Sequence, residues 1–323
     1  MTPMASDFVV DVICATYNGA RHLPEFLASL RAQEHVAWRL WCRDDGSDDG
    51  TLLLLRDEAQ RDVRVRVVED ARGRLGVTQS FGALLQQVAS QAQYVMCADQ
   101  DDVWMPHKIQ TSMARMRQVE TRYSGPVLVH TDLRVVDGDL HPVADSFWTL
   151  THLRPEPATV PRMVLQGLVT GATVLVNREL IERALPVPGD AIMHDWWLAA
   201  VATSCGVVEA IHEPTVWYRQ HGENVVGAAR PAWEGAWHRL PHRVQRAMAR
   251  RDAARRSIDD TARQAAALRA RVGMDLAEDD RRFLEGYSRI PALGYFARKA
   301  AIIRWRCRAE YGWLRNLGMV VRG

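Results

Sequence analysis

The sequence predicts an α/β protein: an open, mainly parallel (mixed) sheet with helices on both faces, followed by a helical C-terminal extension. Three observations predict it. Short apolar runs alternate with helix-period segments through roughly the first 130 residues. Acidic and turn-rich clusters fall at the ends of those apolar runs. From about residue 231 the composition shifts to Arg and Ala, with few strand formers. Strands that alternate with helices need crossover connections, and such sheets are parallel and covered by helices on both sides.

Residues 8–15 (FVVDVICA) read as a buried strand. Residues 20–32 carry Leu23, Phe26, Leu27 and Leu30 at helical spacing. Residues 37–43 (AWRLWCR) alternate like a strand and run into the turn DDGSDDG. A helix over 51–60, a half-buried strand over 63–68 and a helix over 77–89 follow. Residues 94–98 form the next strand; Pro106 suits the opening of a helix that runs to about 120. Residues 127–130 make a fifth strand, and 138–170 read as irregular. A strand over 172–176, helices over 177–185 and 194–204, and closing strands over 207–211 and 215–219 complete residues 1–230. Residues 231–323 form the extension, and no internal repeat joins the two parts.

The apolar fraction of 47% in 323 residues supports a substantial core without cross-links. The five cysteines stand singly at 14, 42, 97, 205 and 307, with no CxxC pair. This pattern suits reduced thiols rather than a disulfide framework or a zinc site. The N-terminus lacks a basic segment followed by a long apolar one, and no apolar stretch is long enough to span a bilayer. A cytoplasmic protein is the expectation. The net charge of +2 hides an asymmetry. Residues 231–323 hold about 20 Lys and Arg against about 10 Asp and Glu, with Trp233, Trp237, Trp305 and Trp313 interleaved. Two readings fit this tail: interfacial helices on an anionic membrane, here the inner face of the cell membrane, or helices packed on the catalytic domain or on a second subunit in a homo-oligomer. Nucleic acid is set aside, because no recognition motif accompanies the charge.

In an open α/β sheet, ligands bind beyond the carboxyl ends of the strands. Three clusters meet there: Thr16-Tyr17-Asn18-Gly19, Asp44 to Gly50, and Asp99 to Asp102. Asp99, Asp101 and Asp102 put three carboxylates within four residues. Hard oxygen ligands of this kind suit Mg²⁺ or Mn²⁺ shared with a substrate diphosphate. A solvated turn that caps the next helix is the plain alternative. An EF-hand aligned from Asp45 fails, because its twelfth position is Arg56. Asp44 and Asp45 are candidates to accept hydrogen bonds from a ligand, whereas Asp48 and Asp49 read as turn and cap. The sequence has no GxGxxG after the first strand, no P-loop and no GxSxG elbow. His194-Asp195-Trp196-Trp197 opens a helix, so Asp195 is either a general base beside an aromatic sugar platform or an acid favoured by the macrodipole. Adjacent tryptophans point about 100° apart, which favours the core for at least one of them. His221 is either a metal ligand or structural.

The stretches ICATYNGARHLPEFLASLRAQ (13–33), WCRDDGSDDGT (41–51), YVMCADQDDVWMPHKI (94–109), VTGATVLVNREL (169–180), HDWWLA (194–199) and YRQHGENVVG (218–227) together resemble the inverting nucleotide-sugar glycosyltransferases of family 2, which have the GT-A fold. Within that family they look most like bacterial rhamnosyltransferases of surface-polysaccharide assembly. The resemblance implies a nucleotide-diphosphate sugar donor, with dTDP-rhamnose the best guess, and a saccharide or lipid-linked saccharide acceptor. It implies that Thr16, Tyr17, Asn18, Asp45 and Asp99 bind the donor, with Asp45 on the pyrimidine and Asp99 on the ribose. It assigns Asp101 and His221 to the divalent metal, Asp195 to the catalytic base, and Gly171, Trp196 and Trp197 to the acceptor border. His194 departs from the Glu that usually precedes the catalytic acid. The QxxRW motif of processive synthases is absent, which implies single addition. Two other classes compete: a metal-dependent nucleotidyltransferase, which lacks here its Gly-rich basic signature after the first strand, and a non-catalytic carbohydrate-binding scaffold.

Overall fold

A computed structural model describes residues 8–220 and 241–304. In chain order the strands are β1 (Val10–Thr16), β2 (Trp38–Asp44), β3 (Val65–Val67), β4 (Tyr94–Ala98), β5 (Val103–Trp104), β6 (Val127–Val136), β7 (Pro142–Ala144), β8 (Leu175–Asn177) and β9 (Val207–Arg219). The α-helices are α1 (Leu23–Arg31), α2 (Thr51–Arg61), α3 (Val77–Val88), α4 (Lys108–Glu120), α5 (Phe147–Thr151), α6 (Val160–Leu165), α7 (Arg178–Ala184), α8 (His194–Cys205), α9 (Pro241–Val272), α10 (Glu278–Ser288) and α11 (Tyr295–Arg304). One mixed sheet runs β3-β2-β1-β4-β8-β6-β9-β5, with β7 paired to β6. The pairs β1–β2, β1–β4, β2–β3 and β6–β9 are parallel, while β8 lies antiparallel between β4 and β6. This is the GT-A arrangement that the sequence predicts, with its C-terminal helices present.

Alternation along the strands divides the core in two. Ile13, Val95, Cys97 and Leu128 face a cluster with α3, α6 and α8. Val10, Val12, Cys14, Tyr94, Met96, Val127 and Val129 face the other cluster, with α1 and α4. Strands covered on both faces are apolar at nearly every position, which is why they read as continuous apolar runs. In α1 the spacing of Leu23, Phe26, Leu27 and Leu30 puts all four into the core. Ile258, Ala262, Ala265 and Leu268 of α9 and Phe283, Leu284 and Tyr287 of α10 join the α3/α6/α8 cluster. These helices therefore share the core of the sheet. Among the described residues no helix is long and apolar enough to cross a membrane.

Several boundaries differ from expectation. The two closing strands are one strand, β9, and the fifth strand runs on to Val136. The register jumps from Thr131↔Ile211 to Asp132↔Pro214, so two extra residues of β9 bulge beside Pro214. Proline has no N–H for the ladder and is tolerated at bulges. The helix expected at Pro106 starts at Lys108, after a turn in which the Lys108 N–H donates to the Met105 carbonyl at 3.0 Å. The expected strand over 172–176 is a 3₁₀ turn, Gly171–Thr173, leading into β8. Residues 138–170 contain β7, α5 and α6. Trp233, Trp237, Trp305, Trp313 and His221 lie outside the described residues.

Candidate active site

The carboxyl ends of β1 and β2 lie side by side, with Thr16 paired to Asp44. The Thr16 hydroxyl donates to Asp44 Oδ1 at 3.0 Å, and the Thr16 carbonyl accepts the Asp45 N–H at 2.8 Å. Asp44 also accepts the Ser47 N–H and hydroxyl, which closes the acidic turn. Asn18 takes the left-handed region at φ 47°, where asparagine is tolerated, and its Oδ1 accepts the Asp48 N–H at 3.0 Å. Gln100 fastens the end of β4 to this loop: its Oε1 accepts the Tyr17 N–H at 3.0 Å and its Nε2 donates to the Tyr17 carbonyl at 2.9 Å. A Cβ on Gly19 would stand 2.2 Å from Gln100 Oε1, so a side chain there would displace the Gln100 amide. Tyr17 is left partly open, with the Arg74 guanidinium 4.0 Å from its ring centre.

Asp45 is buried and accepts four hydrogen bonds: from Arg43 Nη1 (2.7 Å), Leu75 N–H (2.7 Å), Gly76 N–H (2.8 Å) and the Ser80 hydroxyl (3.1 Å). Burial opposes its ionisation. The donors of Leu75, Arg43, Gly76 and Ser80 outweigh burial and hold the carboxyl below its ordinary value. Arg43 also holds Asp70 through Nε at 3.1 Å and the Gly73 carbonyl through Nη2 at 2.5 Å. The guanidinium pulls Asp70 well below the usual carboxylate range. One buried arginine thus anchors the loop between β3 and α3 over the end of β2.

The acidic run after β4 splits in two. Asp102 is 1% exposed, and its Oδ1 accepts the Arg219 N–H at 3.1 Å. The Arg219 side chain, buried at the end of β9, donates to the carbonyls of Asp101 (2.9 Å) and Gly138 (2.5 Å) and pairs with Glu25. Burial, then the charges of Asp101 and Asp99, raise the Asp102 carboxyl. Fully buried Lys108 lies beneath this run, its ammonium 4.7 Å from the centre of the Trp104 ring, and burial brings it down to about 7. Asp99 is half-buried. Burial, then the charges of Asp101 and Asp195, push it up to about 7.

Asp195 sits in the first turn of α8, where Trp196 N–H donates to its Oδ1 at 2.7 Å. His194 is buried and stacks on Phe81 with ring centres 3.7 Å apart. Among the described residues neither of its ring nitrogens has a hydrogen-bond partner, and burial lowers its basicity, so the imidazole is neutral. A Cβ on Gly171 would stand 3.0 Å from His194 Nε2 and 3.3 Å from Asp195 Oδ2. Glycine lets these side chains approach the backbone. The 3₁₀ turn before β8, the start of α8 and the end of β4 therefore converge, and Asp99 feels both Asp101 and Asp195.

Of the expected site residues, Asp99, Asp101, Asp195 and Gly171 gather around this convergence, with Tyr17 fastened beside it by Gln100; half-buried Trp196 donates its indole N–H to the Met163 carbonyl. Others are corrected. Trp197 is fully buried and donates its indole N–H to the Ala184 carbonyl at 2.9 Å, so it is core and borders no acceptor. Thr16 is 1% exposed and uses both hydroxyl and carbonyl to lock β1 to β2. The side chain of Asn18 likewise holds the turn. The turn-and-cap alternative for the acidic run fails at Asp102, which points into the protein and leaves α4 uncapped by any side chain. Asp49 does more than cap α2: it also accepts the Ala20 N–H at 2.9 Å. The reading of the sequence missed Arg43, Arg219 and Lys108. A charged residue inside an apolar alternation, WCRDD, was the available signal for Arg43.

Asp99, pushed up to about 7 by burial and then by the charges of Asp101 and Asp195, fits a cation site. Among the described residues no three His, Cys, Asp or Glu side chains stand ready as a metal cage. The donor set suits a hard divalent ion held by one or two carboxylates and completed by phosphate oxygens and water.

This sheet, with acidic strand ends near the first turn of α8, has the GT-A fold. The "Glycosyl transferase family 2" model matches residues 11–159, just under half of the chain. It is 26% identical over 223 residues to alr2836 of Nostoc sp., described as an uncharacterized glycosyltransferase. That match covers 67% of this chain and 66% of the relative. It is 25% identical over 228 residues to the dTDP-rhamnosyl transferase RfbG of Shigella flexneri, covering 66% of this chain and 73% of that one. The crystal structure of S. aureus TarS shares the fold at a TM-score of 0.55 and 12% identity, covering 93% of this chain and 49% of that one. The chain thus spans about half the length of that structure and just under two thirds of the Nostoc relative.

Proposed function

We propose that this chain is an inverting, single-addition glycosyltransferase. It moves one sugar from a nucleotide-diphosphate donor to a saccharide or lipid-linked saccharide acceptor in bacterial surface-polysaccharide synthesis, at the cytoplasmic side of the membrane. The donor we favour is dTDP-rhamnose, supported by the likeness to a dTDP-rhamnosyl transferase. One observation carries the reading: Asp99 is raised to about 7 by burial and then by the charges of Asp101 and Asp195, which come from separate elements. A site with surplus negative charge suits a cation-bound diphosphate on one side and a proton-accepting carboxylate on the other.

A sugar hydroxyl is a poor nucleophile at neutral pH. Asp195 would take its proton as the hydroxyl oxygen bonds to the anomeric carbon from the face opposite the nucleotide. The bond to the diphosphate oxygen breaks with its electron pair, and one displacement inverts the centre. General-base help of this kind is worth about 10²–10⁴ in rate. Mg²⁺ or Mn²⁺, held by Asp101, would supply Lewis-acid stabilisation of the leaving diphosphate. Tyr17 and Arg74 would wall the nucleotide, and Gly171 and Trp196 the acceptor.

Thermal-shift titration with dTDP, UDP and GDP, with and without Mn²⁺, tests the donor class, since a ligand of the folded state raises stability by mass action. The expected result is a metal-dependent shift with dTDP or UDP; no shift with either in any metal refutes it. Asp195→Asn should abolish transfer and keep that shift.

A further inference from the structure

The segment 185–193 joins α7 to the turn that bears Asp195, and no side chain caps the start of α8. Its path is fixed from outside. Gln264, fully buried on α9, accepts the Ile192 N–H at 2.9 Å through Oε1. The Ile192 carbonyl accepts the Thr78 hydroxyl of α3 at 3.2 Å. Both backbone groups of a residue three positions before Asp195 are thereby held, one by the C-terminal helices and one by the helix whose start bonds Asp45. Further contacts line the same segment. Arg271 of α9 donates to the carbonyls of Leu185 and Pro186, Arg263 stands 3.7 Å from Asp190, and Arg183 pairs with Asp275 just beyond α9.

Gln264 lies among Ala262, Ala265 and Leu268, where a buried amide is costly unless it is hydrogen-bonded. Its Nε2 has no partner among the described residues, so the bond to Ile192 is the amide's one observed return for burial there. We propose that α9 is part of the catalytic unit and that Gln264 is a positioning residue, setting the first turn of α8 and through it Asp195. This rests on the reading of Asp195 as the base. A displacement of about 1 Å at a reacting group can cost 10²-fold in rate, so a lost strut acts on turnover more than on donor binding.

The test uses the full chain and measures nucleotide diphosphate release from whichever of dTDP-rhamnose and UDP-glucose the parent turns over. Gln264→Leu removes the acceptor of the Ile192 N–H, and Gln264→Glu keeps it. Arg282→Ala breaks a surface pair with Glu278 on α10 that does not touch this segment. Expected is a kcat lower by about 10- to 100-fold in Gln264→Leu, with donor KM and the nucleotide-induced thermal shift at parental values. Gln264→Glu should recover most of the rate, and Arg282→Ala should match the parent. Should Gln264→Leu not fold, Gln264→Asn, which draws the amide back by one methylene, carries the same expectation. A folded Gln264→Leu or Gln264→Asn with kcat within twofold of the parent overturns the proposal, as does Gln264→Glu impaired equally with Gln264→Leu. Asp195→Asn measured alongside separates the two ideas: an active Asp195→Asn overturns the base assignment, whereas an inactive one beside a fully active Gln264→Leu overturns the strut alone.

Discussion

Asp45→Asn tests whether the acid at the end of β2 is a scaffold for the nucleotide loop, a nucleotide ligand, or both. Asp45 receives three donors on Oδ1 and one on Oδ2. An asparagine can keep its oxygen for Arg43, Leu75 and Ser80, but its NH₂ then faces the Gly76 N–H donor to donor. That leaves one buried backbone donor unpaired, at about 1–3 kcal/mol. The bond from Arg43 also loses a charged acceptor, and the total reaches about 3–5 kcal/mol, the range for breaking a buried pair. At about 2 °C per kcal/mol for a chain of this length, Tm falls by about 6–10 °C. Differential scanning fluorimetry and urea unfolding read the loss. Nucleotide affinity is then measured well below the new Tm, where the variant is folded. A Tm within about 1 °C of the parent refutes the scaffold role, and Asp45 would then act on the nucleotide alone.

Three further outcomes are expected. Asp45 and Asp70 are both held below their ordinary values, so the stability they add is complete above about pH 4 and is lost as pH falls through their folded values; urea titrations from pH 5 to 2.5 should show this loss, weakened in Arg43→Met. Asp99 runs the other way: its folded value near 7 exceeds the unfolded one, so the metal-free protein should lose stability as pH rises from about 4 to about 7, and Asp99→Asn should remove that slope. In Gly171→Ala the new methyl presses on His194, which is backed by Phe81, and on Asp195; kcat should fall about threefold to tenfold for a shift of a few tenths of an ångström, with an overpacking cost of about 1–3 kcal/mol in Tm-derived stability, and a parental kcat in the folded variant would contradict it.

The strands and helices of the first half were legible because β1 and β4 are buried on both faces, β3 alternates, and a helix such as α1 shows one apolar stripe. The convergence of the acidic clusters was legible for a geometric reason, since parallel strands deliver their carboxyl ends to one edge of the sheet. The antiparallel insertion of β8 between β4 and β6 was not, because pairing order depends on distant partners. Two closing strands were expected over 207–211 and 215–219, yet a bulge beside Pro214 lets β9 run on as one strand. Of the tryptophan pair only Trp196 stays near the surface, and that choice depends on how α8 packs against α7, which no local pattern encodes. Arg43 and Arg219 were hidden because their meaning lies in carbonyls and carboxylates distant in sequence.

The crowding of Asp99, Asp101 and Asp102 has two physical remedies, one internal and one external. Asp102 is buried and only partly compensated within the protein: it accepts the Arg219 N–H and lies within the field of Lys108, while burial and the charges of Asp101 and Asp99 still raise its carboxyl. Arg219 also holds the Asp101 carbonyl, so it fixes the turn without neutralising what faces outward. For Asp99, burial and then the charges of Asp101 and Asp195 push the carboxyl up to about 7. The internal remedy sets the geometry of the acidic turn before any ligand arrives, and under the proposed function the remaining repulsion would favour a cation that enters with a diphosphate. A protein that had paired all three acids internally would be more stable as a free molecule and would hold such a ligand less well.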